Sequence, residues 1–219
     1  AGLITLDGTN ASGSTGGTVL RTDDSTIRGF VVQNFADEGI EVDGSTGFGD
    51  NNIIEDNWIG MTTAGVAAGI GDDGILITED ADGNVVRNNF IGSSGGVSGA
   101  GDGIHIRNNS DNNWVWGNTI GLATDGSTLA ANAGHGVHIS GTANANIIGG
   151  DGLNANDSTE RNIISGNAVE GVHLAAGNTN TRIAYNYIGL DSTGLLDRGN
   201  TANGIYTYQS DTVFVLDNV

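Results

Sequence analysis

Aliphatic and polar residues alternate in this chain over runs of three or four positions, and the same runs return at steps of 29 to 35 residues. One run reads Gly103-Ile104-His105-Ile106. It recurs as Gly39-Ile40-Glu41-Val42, Gly74-Ile75-Leu76-Ile77, Gly136-Val137-His138-Ile139, Gly171-Val172-His173-Leu174 and Gly204-Ile205-Tyr206-Thr207. The other reads Asn52-Ile53-Ile54-Glu55-Asp56-Asn57-Trp58-Ile59-Gly60 and returns at 84–92, 113–121, 162–169, 181–189 and, cut short, 213–219. Alternation at a period of two is the mark of a strand, because successive side chains leave the backbone on opposite faces. Gly and Asn are too frequent for helical repeats, and periods of this size mean stacked supersecondary units. The pattern predicts an all-β solenoid of about six to seven rungs, in which each strand pairs in parallel with its copy one turn later.

Three aliphatic columns follow, spaced by about 4.8 Å per rung. The first holds Ile40, Ile75, Ile104, Val137, Val172 and Ile205. The second holds Ile54, Val86, Val115, Ile164 and Ile183, and the third Ile59, Ile91, Ile120, Val169 and Ile188. Between the second and third strands stands an Asn in every rung: Asn57, Asn89, Asn118, Asn167, Asn186 and Asn218. Asn tolerates the left-handed backbone of a sharp corner, and equal amides one rung apart can form a ladder, so these six are expected to be structural. Insertions fall after Ile-Gly at 61–73, 93–102, 122–135 and 190–203, and earlier in one rung, at 150–161. Loops recurring at one corner line one side of a solenoid, where function is commonly placed.

Composition narrows the partners. With 26 acidic residues against seven Arg and no Lys, the net charge of −19 disfavours nucleic acid and anionic membranes and makes Ca²⁺ a natural partner. No apolar run approaches the roughly 18 residues of a membrane span. Both ends break inside a repeat, which points to one β-helix domain over 1–219 that is a segment of a longer chain or a unit stacking on identical subunits.

These rungs, with the lead-in Ser25-Thr26-Ile27-Arg28-Gly29-Phe30 and loops such as Ile188-Gly189-Leu190-Asp191-Ser192-Thr193-Gly194, resemble the right-handed parallel β-helix repeats of large secreted or surface-attached bacterial proteins, related to the pectate-lyase-like superfamily. The resemblance implies a right-handed coil and a secreted or cell-surface location. It leaves activity open, since the fold hosts lyases, hydrolases, epimerases and adhesins alike.

Several residues are candidates for chemistry. The outward position of the first strand stacks His105, His138 and His173, which can serve as bases or bind a metal or a sugar acid. Just before each Gly of that strand stand Glu38, Asp73, Asp102, His135, Glu170 and Asn203; carboxylates on adjoining rungs repel unless a cation or proton lies between them. Asp73 and Asp102, with Asp80 and Asp82 of the Asp80-Ala81-Asp82-Gly83 loop, are the Ca²⁺ candidates. Gly71-Asp72-Asp73, Gly134-His135-Gly136 and Arg182-Ile183 resemble polygalacturonase motifs, but Ala184 stands where the Lys belongs. Trp58, Phe90, Trp114 and Trp116 face outward and suit a polysaccharide or a protein interface, unless the insertions fold over them. Asn10, Asn108 and Asn156 meet the glycosylation sequon.

The regular repeats favour an extracellular structural or adhesive module that binds Ca²⁺ and is non-catalytic. The alternatives are a polysaccharide-active enzyme or carbohydrate-binding module (lyase, hydrolase or epimerase-like) working along the His face, and a protein-assembly solenoid. A groove that collects bases, carboxylates and His together would favour the enzyme.

Overall fold

A computed structural model describes residues 3–96, 100–153 and 159–219; the Asn156 sequon lies outside them. The described residues hold strands and turns and no helix, so none is long and apolar enough to cross a membrane. The strands form three parallel sheets of seven, one strand per sheet in each turn of a β-helix. The first sheet gathers the Gly-Ile/Val runs: Thr18–Leu20, Ile40–Asp43, Ile75–Thr78, Ile104–Ile106, Val137–Ile139, Val172–Leu174 and Ile205–Thr207. The second runs Thr26–Arg28, Ile53–Glu55, Val85–Arg87, Trp114–Trp116, Ile147–Gly149, Arg182–Ala184 and Phe214–Leu216. The third runs Ile4–Asp7, Phe30–Gln33, Trp58–Ile59, Phe90–Ile91, Thr119–Ile120, Ile163–Ile164 and Tyr187–Ile188.

Strands of two to four residues hold register because the inward side chains define it. Ile40, Ile75, Ile104, Val137 and Val172 have no exposed surface, nor do Ile54, Val86, Val115, Ile148 and Ile183. Burying each contributes about 2 kcal/mol, and a one-residue slip would turn the whole set outward. The Gly that opens each first-sheet strand lets neighbouring turns close up. A Cβ on Gly103 would lie 2.6 Å from the Gly136 carbonyl oxygen and 2.6 Å from Ile120 Cγ2.

Two expectations shift, for one reason. In the turn carrying the 150–161 insertion, the loop leaves after Gly149, between the second and third sheets. Ile148 therefore fills the second column, and Ile164, expected there, sits in the third, paired with Ile120 and Ile188. Val169, expected in the third column, lines a surface groove. By the same shift Asn162 takes the corner assigned to Asn167. Each ladder Asn accepts the backbone N–H of the one before it: Asn57 from Phe30, then Asn89 from Asn57, Asn118 from Asn89, Asn162 from Asn118, Asn186 from Asn162 and Asn218 from Asn186, all at 2.9–3.1 Å. Asn167 belongs to another ladder, between Asn132 and Asn200, and a third links Asn52, Asn84, Asn113 and Asn146.

The left-handed backbone also falls elsewhere. It is adopted one residue ahead of the ladder, at Asp56, Asn88, Gly117, Tyr185 and Asp217. The amide is required at the corner for its donors and acceptor, and the residue before it takes the φ of about +60°.

Three of the insertions after Ile-Gly, at 61–73, 122–135 and 190–203, fold back as small hairpins, closed by antiparallel bridges Met61 to Ala67, Leu122 to Leu129 and Leu190 to Asp197. They stack on one another, Ser192 donating its backbone N–H to Gly126 O at 2.9 Å. Met61, Ala123 and Ala130 pack over the outward Trp58 and Phe90, which are half-buried as a result.

Candidate functional site

The pleat of the first sheet places Glu41, Leu76, His105, His138, His173 and Tyr206 in successive register on its outer face. Strand spacing then forces the imidazoles to stack. The rings of His105 and His138 are 4.4 Å apart and those of His138 and His173 4.9 Å, each pair 10° from parallel. Tyr206 continues the column 5.3 Å beyond His173. Two residues along from His105, on the same face, is Arg107.

The walls come from the chain leading into each of these strands. Asp72, Asp73, Ala100, Asp102, Ala133, Gly134, His135 and Val169 join His105, Arg107 and His138 around a groove of about 420 Å³. Asp73 and Asp102 are almost wholly buried there, 5% and 4% exposed, so their oxygens need partners. Asp73 Oδ1 accepts the backbone N–H of Asp102 at 2.7 Å, and Asp102 Oδ1 that of His135 at 2.6 Å. Each second oxygen meets an imidazole: Asp73 Oδ2 lies 3.1 Å from His105 Nδ1, and Asp102 Oδ2 2.8 Å from His138 Nδ1.

A carboxylate on Nδ1 holds the proton there and turns Nε2 outward as the basic nitrogen. For His105, Nε2 is taken by Ser140 Oγ at 2.9 Å. For His138, no described residue hydrogen-bonds Nε2, which makes it the one oriented base of the groove. His135 reaches across to the stack, its Nε2 3.1 Å from His173 Nδ1, with its Nδ1 3.0 Å from Glu170 Oε2 but off the line of a good hydrogen bond.

Burial pushes Asp102 toward its neutral form, but the hydrogen bond and charge of His138, the His135 N–H and the charge of His105 outweigh it and hold its pKa below the usual range. It is an anion at neutral pH. His135 and His173 are displaced downward, first by burial and then by neighbouring imidazoles, against the pull of Asp102 and Glu170. Both are thereby weaker bases than a free imidazole.

The other candidates separate. Asp82 lies on a different corner, its Oδ1 accepting the Asp111 N–H at 2.7 Å while its own N–H goes to Asp50 Oδ1 at 2.8 Å, so this carboxylate is a rung of an Asp ladder. Neither Asp80 nor Asp82 belongs to a set of three described ligand atoms near enough to share an ion, whereas Asp102 does, with His105 and His138. The resemblance to polygalacturonase splits. Asp72, Asp73 and His135 do meet in the groove, but Arg182 is on the second sheet, bonded to the Gly150 carbonyl at 3.0 Å. Trp114 and Trp116 are also on the second sheet, Trp114 donating to the Gly149 carbonyl at 2.8 Å and Trp116 lying under Arg87, which pairs with Glu55 at 2.6 Å. Glu170 belongs to the pre-glycine column read from the sequence, whereas Arg107 and Ser140 were not expected at the site. Arg107 and Ser140 were legible in the spacing, each two residues beyond a stacked His.

Asp37, Glu38 and Asp72 form an acidic cluster one turn away. Burial, then the charge and hydrogen bond of Asp37 and the charge of Glu41, raise Glu38 to about 7. A carboxyl that folding makes less acidic stabilises the fold below its unfolded pKa of about 4.5, and that contribution disappears as pH rises through about 7. Since Glu38 is half-exposed, Glu38→Gln is expected to stabilise the protein at pH 8 by only about 1–2 kcal/mol and to change nothing at pH 4. Urea denaturation at both pH values checks this, and an equal effect at both would refute it.

No protein-family model and no curated protein matches the chain. Solved structures do. The A-module of the mannuronan C-5 epimerase AlgE4 from Azotobacter vinelandii superposes with a TM-score of 0.68 at 18% identity, over 98% of this chain and 49% of that one. A variant of the periplasmic alginate epimerase AlgG superposes with a TM-score of 0.62 at 16% identity, over 91% of this chain and 46% of that one. This chain thus spans about half the length of either protein. The likeness establishes the fold, a parallel β-helix.

Proposed function

We propose that this chain is a polysaccharide-acting module whose chemistry is proton transfer by His138 in the groove of the first sheet. The observation that carries the reading is the His138–Asp102 pair: a base with its free nitrogen facing the groove and its other nitrogen held by a buried carboxylate. A purely structural solenoid would have no rung that stands out chemically, and here three adjoining turns do. A groove open to solvent admits a polymer, and the structural neighbours, named as epimerases of mannuronan and alginate, support a uronate polymer.

In that reading Arg107 pairs with a uronate carboxylate, which offsets the repulsion expected from the net charge of −19. His138 Nε2 removes the C5 proton, and the electrons pass into the adjoining carboxylate. Return of a proton on the opposite face gives the epimer, and loss of the C4 oxygen gives a C4–C5 double bond. The test is incubation with polymannuronate, polyguluronate and polygalacturonate in D₂O, followed by proton NMR and ultraviolet absorbance. Deuterium at C5, or unsaturated ends, is expected with one of them. Neither product from any polymer would return the chain to the structural reading.

A further inference from the structure

We propose that His135, His138 and His173 form a three-imidazole site for a zinc-class divalent transition metal. The sequence places His138 and His173 on one strand face, but His135 enters from the loop before its strand and lies nearly perpendicular to them, at 60° and 70°. Three rings converging from two directions are what a tetrahedral ion needs, and a flat stack is not. One nitrogen from each ring lies within 4.8 Å of the other two. His135 Nε2 and His173 Nδ1 already stand 3.1 Å apart. Zinc to nitrogen bonds of about 2.0–2.1 Å give a tetrahedral edge of about 3.3–3.4 Å, so little movement is required of that pair.

The surrounding carboxylates are placed as such a site demands. Metal-bound imidazoles present their other nitrogen to a carboxylate, which fixes the tautomer and raises ligand basicity. Asp102 does this for the Nδ1 of His138 at 2.8 Å, and Glu170 lies 3.0 Å from the Nδ1 of His135. His138 is then left with Nε2 for the ion, so the metal-loaded site withholds that nitrogen from acting as base, and bound Zn²⁺ is expected to suppress turnover of the polymer. Imidazole donors select zinc-class ions, and Ca²⁺, which wants six or more oxygens, is excluded from this spot. With three protein ligands the fourth position stays open to water or to a carboxylate in the groove. The neighbouring set of Asp102, His105 and His138 is poorer, because both of its imidazoles already spend Nδ1 on a carboxylate and His105 spends Nε2 on Ser140.

The test uses the whole chain without any polysaccharide: titration with Co²⁺ in excess Ca²⁺, followed by displacement with Zn²⁺. One equivalent of Co²⁺ should give the intense visible bands of tetrahedral coordination, Zn²⁺ should erase them, and Zn²⁺ should raise the thermal midpoint. His135→Gln and His173→Gln should each weaken binding at least tenfold, and His105→Gln should not. The proposal is overturned by wild-type protein that shows no tetrahedral bands, or by loss of binding in His105→Gln with retention in His173→Gln. The wild-type titration decides even where a variant misfolds. Because no polymer is present, its result stands apart from the turnover assay, which is run in parallel with and without a chelator.

Discussion

Asn118→Ala should destabilise the protein by about 3–5 kcal/mol, far more than an exposed Asn would. The side chain has no exposed neighbourhood to fall back on, being 1% exposed. Its carbonyl accepts from the Asn89 N–H and the Asn89 amide, both at 3.0 Å. Its own amide donates to the Val86 carbonyl at 2.9 Å and lies 3.0 Å from both the Trp116 carbonyl and Asn162 Oδ1. Alanine removes all of these at once, leaving the Asn89 N–H without its acceptor and the Val86 carbonyl without this donor, each costing about 1–3 kcal/mol before relaxation, while the Trp116 carbonyl keeps the Asn88 N–H. Denaturant unfolding followed by circular dichroism measures it. A loss below 1 kcal/mol would mean that the ladder is incidental to stability and the aliphatic columns alone hold the turns.

The second large effect is chemical. Asp102→Asn should lower turnover of the polymer by at least about a hundredfold, with KM little changed. The replacement is nearly isosteric, and its oxygen can still accept the His135 N–H that Asp102 takes at 2.6 Å, so the loop keeps its anchor. Its amide, however, donates toward His138 Nδ1. The imidazole must then carry its proton on Nε2, the nitrogen that should act as base. A tautomer change has a readout free of catalysis: nitrogen-15 shifts of His138 should invert between the two proteins. Turnover within threefold of wild type would remove Asp102 and His138 from the chemistry.

The two effects arise from one construction. Each turn spends its inward side chains on the core and its corner amides on the neighbouring turn, which leaves the outward positions of the first sheet free to accumulate chemistry at a spacing set by backbone hydrogen bonds. His105, His138 and His173 stack because their strands pair, and no side-chain preference is required. The acidic residues beside them are held by backbone N–H groups of the next turn, a cost-free use of donors that the corner would otherwise leave unpaired.

Much of this was legible from residue order. Alternation at a period of two and a recurrence near thirty residues are local properties, and they determined the all-β coil, its three columns, the outward His row and the presence of corner amides. Three things required the folded chain. Whether the 150–161 insertion precedes or follows the corner amide cannot be read from Asn162-Ile163-Ile164-Ser165-Gly166-Asn167, which offers two Asn in acceptable spacing; the pairing of Ile164 with Ile120 decides for Asn162. Whether Trp58 and Phe90 lie open depended on where the hairpin loops fold, and they fold over them. Above all, Asp73, Asp102 and His135 stand in the sequence as equivalent pre-glycine residues about thirty apart, with nothing to say which atoms they meet. Periodicity assigns a residue to a column because that depends on backbone geometry repeated at every turn. The direction in which a loop-borne carboxylate or imidazole points depends on the unlike loop lengths around it, and only tertiary contact settled that His135 turns into the stack.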